Sequence, residues 1–186
     1  MLYPGNIKKD YKRNIPHKNR GMKLENLINL SNEYYLENDI AVIYKKPTPI
    51  LVCQVDYKKN LIKEGYYKVP STLDYNGIYR GKYIDFDAKE TLSKTSFPLS
   101  NLHDHQLLHM KRVIKHGGIS FLIIKMNSLY YLLDGKLIID FIENNDRKSI
   151  PYEYIENNGI VIKENIRPAL DYIKVIDSYY FKEENL

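Results

Sequence analysis

Two aspartates and a lysine occupy alternate positions in the run Asp85-Phe86-Asp87-Ala88-Lys89. Successive side chains of a strand point to opposite faces, so these three share one face at intervals of about 7 Å while Ile84, Phe86 and Ala88 line the other. The apolar face can enter a core. The polar face then presents hard oxygen ligands beside an ammonium, the set that Mg²⁺-dependent phosphodiester hydrolysis requires: oxygens for the ion, and a cation to activate water or stabilise a pentacovalent phosphate. An acid two residues before a lysine is not distinctive by itself, because Asp10, Asp56, Asp134 and Asp146 have the same neighbour. The amphipathic strand sets Asp87 and Lys89 apart, together with a second acid, Asp74, on a preceding polar-apolar segment. Residues 72–79 and 82–89 are joined through Arg80-Gly81, which predicts an antiparallel hairpin on which Thr72 and Asp74 share a face.

The elements that must position these groups follow from periodicity. Leu24, Leu27, Ile28, Tyr34 and Tyr35 recur at helical spacing and predict a first helix over 22–37. Residues 40–44 and 50–55 read as strands separated by Pro47-Thr48-Pro49. Residues 56–69 are basic, aromatic and weakly patterned, and read as an exposed hairpin or loop. A second helix begins near Asn101 and stops at Gly117-Gly118. Residues 119–126 and 129–133 read as strands, 137–142 as helical, and the tyrosine-rich tail from Leu170 as mixed. Strands and helices alternate without repeats or linkers, which predicts one domain over 22–186, an α/β fold with a mixed central β-sheet flanked by helices.

Composition excludes other classes. With 44% aliphatic and aromatic residues and only 9 Gly and 8 Pro, the chain is neither disordered nor collagen-like. Its apolar runs, such as 40–43 and 121–124, fall far short of the roughly 18 residues that span a bilayer, so no membrane helix is expected. The start lacks the apolar stretch of a secretory signal, and the single cysteine, Cys53, cannot form an internal disulfide; a cytoplasmic setting is expected. Residues 1–21 hold six basic residues against one acid, which equals the whole net charge of +5. This basic arm, with Lys8, Lys9, Lys12, Arg13 and Arg20, has the character of a phosphate-binding segment or of a solvated tail. His105 and His109 stand at i, i+4, but with no cysteine nearby and no H-E-x-x-H pattern they read as surface or helix-terminal groups rather than a zinc site.

Three long blocks carry a resemblance: GMKLENLINLSNEYYLENDIAVIYKKPTPI, PSTLDYNGIYRGKYIDFDAKETLSKTSFPLSNLHDHQLLHM and RKSIPYEYIENNG. They are similar to successive signature blocks of the RecU family, the Holliday-junction resolvases of low-GC Gram-positive bacteria and their wall-less relatives, from about Gly21 to Asp177. The resemblance implies a PD-(D/E)xK nuclease fold, a homodimer, Mg²⁺-dependent paired nicking of four-way DNA junctions and RecA as a partner. It makes Thr72, Asp74, Asp87 and Gln106 the metal-site positions, Lys89 the transition-state stabiliser and Glu25 an acid at the rim. It also makes 56–69 a protruding stalk, where Lys58, Lys59, Lys63 and Lys68 meet phosphates and Tyr57, Tyr66 and Tyr67 stack on bases. The family's usual F-E-A-K-E-T here has aspartate at position 87, a carboxylate drawn back by about 1.5 Å, which points to Mn²⁺ being preferred over Mg²⁺. The alternatives are a junction-binding architectural protein with an impaired catalytic site, and a nucleic-acid-binding module without junction preference.

Overall fold

The computed structural model describes residues 22–68 and 72–181. The basic arm at 1–21, with Lys8, Lys9, Lys12, Arg13 and Arg20, lies outside the described residues.

The chain runs α1 (Met22–Glu37), β1 (Val42–Lys45), β2 (Ile50–Asp56), β3 (Leu61–Tyr67), β4 (Tyr75–Tyr79), β5 (Lys82–Glu90), β6 (Ser96–Pro98), α2 (Asp104–Lys115), β7 (Ile119–Met126), β8 (Leu129–Asp134), α3 (Gly135–Glu143), β9 (Ser149–Pro151), α4 (Tyr152–Asn158), β10 (Ile160–Ile162) and α5 (Tyr172–Tyr180). Six strands form the central sheet in the order β1-β4-β5-β7-β8-β10. The β5–β7 pair is parallel and the other pairs are antiparallel, so the sheet is mixed, as expected.

Two-residue turns build its hairpins. Arg80 and Gly81 have φ of 46° and 73°, and Asn127 and Ser128 have φ of 50° and 65°. Positive φ at both central positions marks the turns whose twist suits paired strands. Between the parallel strands β5 and β7 the chain must cross over, and α2 lies in that crossover.

Alternation divides the core in two. On one face Ile43, Tyr75, Ile84, Phe86 and Phe121 pack with Leu24, Ile28 and Tyr35 of α1 and Ile173 and Ile176 of α5. Positions 24, 28, 31 and 35 of α1 are all buried, which is the stripe of a helix laid on a sheet. Tyr75, Phe86 and Phe121 stack in register across β4, β5 and β7, with both ring pairs 4.8 Å apart and inclined by 8°. On the other face Leu122, Ile124 and Leu133 pack with Met110 of α2 and with Ile138 and Phe141 of α3. The aromatic stack therefore fixes which way β5 faces. With Phe86 locked into the first layer, Asp85 and Asp87 must point into the second.

Residues 50–55 form a strand as expected, and among the described residues β2 pairs only with β3, forming a two-stranded ribbon whose residues are exposed except the partly covered Asp56. Four expectations need correction. The projection thus spans Ile50 to Tyr67 with a turn at 57–60, more than the 56–69 expected for a stalk. An apolar β-branched run reads alike whether it meets a core or solvent. Thr72 and Asp74 precede β4 in a bend rather than standing on the strand, because the ladder opposite β5 begins at Tyr75. Helix α2 starts at Asp104, after a short 3₁₀ turn at Leu99–Asn101, and the tail from Tyr172 is a regular helix.

Candidate functional site

The second face of β5 gathers the candidate residues. Asp87 is wholly buried. Its Oδ2 accepts from Gln106 Nε2 at 2.6 Å and lies 2.9 Å from Lys89 Nζ, while its Oδ1 accepts from the Ala88 N–H at 2.7 Å. Burial pushes the Asp87 carboxyl above the usual carboxylate range; Lys89 pulls it back, and the charge of Asp74 pushes it further up. Asp74 is thus near enough to act on Asp87 although it stands in the bend before β4.

Helix α2 delivers Gln106 through its own end structure. His103 caps the helix, and its N–H donates to Gln106 Oε1 at 3.1 Å in a capping box. The amide is therefore used at both ends, the oxygen holding the helix start and the nitrogen holding Asp87. His103 stacks on His105, with ring centroids 5.4 Å apart.

A second buried carboxylate adjoins the first, and its partners were not evident from the sequence. Asp85 Oδ2 accepts from Lys46 Nζ at 2.6 Å and from Tyr83 Oη at 2.8 Å, and Oδ1 faces His109 Nε2 at 3.3 Å. Burial, and then the bond to Asp85, push the Tyr83 hydroxyl up to about 12. Strand alternation held a clue to one partner. Lys45 and Lys46 adjoin at the end of β1, so their side chains go to opposite faces: Lys45 meets Glu25 of α1 at 2.5 Å and Lys46 meets Asp85. Glu25, expected at the rim, is thus engaged by Lys45.

The ribbon carries Lys58, Lys59, Lys63, Tyr66 and Tyr67. Tyr57 is 86% exposed and Tyr67 82%, leaving ring faces open to solvent. Lys63 Nζ lies 3.4 Å from Asp56, and Tyr66 donates to Glu64 at 2.9 Å.

The donor set suits a hard divalent cation. The expected ligand positions offer two carboxylates, Asp74 and Asp87, and the hydroxyl of Thr72, while Gln106 turns its amide nitrogen, not its oxygen, toward Asp87. The upward push of Asp74 on Asp87 is a repulsion that a bound cation would relieve. Among the described residues no three His, Cys, Asp or Glu side chains gather into a cage of their own.

The described residues thus define an α/β fold, a mixed central sheet flanked by helices with an acid-x-lysine pair on one of its central strands. Residues 19–178 match the family described as RecU, Recombination protein U, and the chain belongs to that family. It is 53% identical over 171 residues to the Holliday junction resolvase RecU of Geobacillus sp. (strain WCH70), covering 88% of this chain and 85% of that one. It is 49% identical over 198 residues to the Holliday junction resolvase RecU of Bacillus cereus (strain AH820), covering 97% and 98%. Among solved structures, Hjc, a Holliday junction resolvase of Archaeoglobus fulgidus, overlaps 72% of this chain and 94% of its own at 7% identity with a TM-score of 0.42.

Proposed function

We propose that this protein is a structure-selective endonuclease that resolves four-way DNA junctions by metal-dependent phosphodiester hydrolysis, in recombination, repair and chromosome segregation. The observation that carries this reading is Asp87, wholly buried between Lys89 and Gln106 and under the charge of Asp74, in a chain of the RecU family. Asp74 and Asp87 would hold Mg²⁺ or Mn²⁺, with Thr72 and Gln106 in support. When bound, the ion supplies Lewis-acid stabilisation and eases deprotonation of water. The shortened carboxylate at position 87 favours Mn²⁺, the more permissive of the two.

The chain's own groups do the rest. Lys89 keeps an ammonium against Asp87, where it offsets charge that builds on the phosphate. Gln106 orients Asp87 through its nitrogen; its oxygen becomes available only when the amide turns over and the His103 N–H finds another acceptor. Lys58, Lys59 and Lys63 on the ribbon meet phosphates and Tyr66 and Tyr67 stack on unpaired bases, while the basic arm adds contacts without regard to shape. A two-fold homodimer would bring two such sites to symmetry-related strands. RecA as a partner rests on family resemblance. No helix among the described residues is long and apolar enough to cross a membrane, and the cytoplasm is the compartment proposed.

The test is incubation with a labelled four-way junction and a matching linear duplex, with Mg²⁺ and with Mn²⁺. Symmetric nicks in the junction are expected. Branch-selective binding without cuts would instead favour an architectural protein whose site Asp87 has impaired, and equal binding to both substrates a general nucleic-acid-binding module.

A further inference from the structure

Lys46 stands where three parts of the molecule meet. Its N–H donates to the carbonyl of Asp74 at 2.7 Å, extending the β1–β4 ladder by one step into the bend that carries Asp74. Its ammonium reaches across the sheet to Asp85. The chain then enters Pro47-Thr48-Pro49, whose proline rings fix φ and stiffen the segment, and the ribbon starts at Ile50. The N–H of Lys68, just past the returning strand, donates to the Pro49 carbonyl at 3.0 Å and closes the ribbon's base.

Asp85 accepts from Lys46 at the ribbon's root and from Tyr83 on its own strand, and it faces His109 on α2, one turn beyond the Gln106 that grips Asp87. A buried ion pair adds little to stability compared with apolar packing. What this one does geometrically is fix the ribbon's root to the strand that carries Asp87, with Asp74 hanging from the same residue.

We propose that the Asp85–Lys46 pair is the mechanical link between the ribbon and the catalytic centre. Asp85 is a positioning residue that fixes Lys46, and Lys46 fixes the main chain at Asp74, so that seating the ribbon in branched DNA sets Asp74 against Asp87. Branch selectivity is then exerted at the cleavage step as well as in binding. The inference rests on the junction-cleaving function proposed above.

The test uses full-length protein, a four-way junction with Mn²⁺ for single-turnover cleavage, and the same junction in EDTA for affinity. Lys46→Met and Asp85→Asn should each slow junction cleavage by roughly 10–10²-fold, the scale of a displacement of about 1 Å at a positioned group, with metal-free affinity changed less than about two-fold. Lys46→Arg should restore the rate, and the double variant should cut no worse than Lys46→Met alone. A merely structural role is separated by a shortened ribbon, made by joining Val52 to Gly65, which pair across it, through an Asn-Gly turn. In that background Lys46→Met should bring no further loss, because nothing remains to transmit. The inference is overturned if Lys46→Met cuts the junction at the parental rate, if it loses the same factor with and without the ribbon, or if affinity falls as far as rate. A parent protein that cuts no junction at all overturns the functional reading and this inference with it.

Discussion

Lys89 and Asp87 share one strand face, and the proposed chemistry divides between them. The ammonium lies 2.9 Å from a carboxylate that burial has pushed toward protonation. Lys89→Ala should keep junction affinity and lose roughly 10²–10³-fold in single-turnover cleavage, the effect of removing one preorganised donor; equal rates would remove Lys89 from the mechanism. Asp87 also bears on stability, with a sign that can be derived. Its folded pKa is raised, so its contribution is fully present below the unfolded value of about 3.9 and is lost as pH rises through the folded value. At neutral pH the ionised group therefore opposes folding. Asp87→Asn should raise Tm at neutral pH while abolishing cleavage, with the gain shrinking as pH falls toward 4; a lower Tm at neutral pH would mean that the attraction of Lys89 outweighs burial. Asp87→Glu restores the missing methylene and should shift the metal preference from Mn²⁺ toward Mg²⁺, read from metal titrations of cleavage rate.

Among the elements, the ribbon departs most from the rest of the molecule, since it pairs only with itself and presents both faces to solvent. Its tip is shaped by Asp56, whose Oδ1 accepts from the N–H groups of Lys58 and Lys59 at 3.1 and 3.3 Å and so directs the two lysines outward. Neutralising Lys58 and Lys59, or replacing Tyr66 and Tyr67, should weaken junction binding more than duplex binding in titrations. Neutralising Lys63 should cost less, because that ammonium is shared with Asp56. Deleting residues 1–20 should instead weaken both substrates together and flatten the dependence of affinity on salt. Proportional losses from both changes would leave the ribbon no role in reading shape.

At the scale of the whole molecule, the end of the described chain secures the hairpin that carries the site. Tyr79 donates to Asp177 Oδ2 at 2.7 Å and Arg80 to Oδ1 at 3.2 Å, and the Arg80 guanidinium lies 4.7 Å from the centre of the Phe181 ring. Helix α5 thus fastens the β4–β5 turn from the face opposite the carboxylates. Asp177→Ala should destabilise the fold by about 1–2 kcal/mol, the worth of hydrogen bonds to a charged group. Calorimetry should record a fall of roughly 2–8 °C in Tm. Cleavage well below the melting range should be unaffected; a large loss there would show that α5 does more than hold the hairpin.

The sequence by itself determined what depends on neighbours along the chain. Strand alternation is local, so the shared face of Asp85, Asp87 and Lys89 and the apolar reverse of Phe86 were legible, as were the Arg80-Gly81 turn and the helices whose apolar residues recur every third or fourth position. The family blocks added Gln106 and Thr72, which no periodicity would single out. Tertiary structure alone decided what depends on strand order. Residues 50–55 carry the β-branched run of a core strand, yet only the pairing of β1 directly with β4 shows that they are left outside the sheet. The partners of Asp85 come from the ribbon's root and from α2, segments far apart in the chain that meet on one sheet face. A buried charge shows in sequence only as an acid in a strand; which ammonium answers it depends on which strands and helices pack beside it.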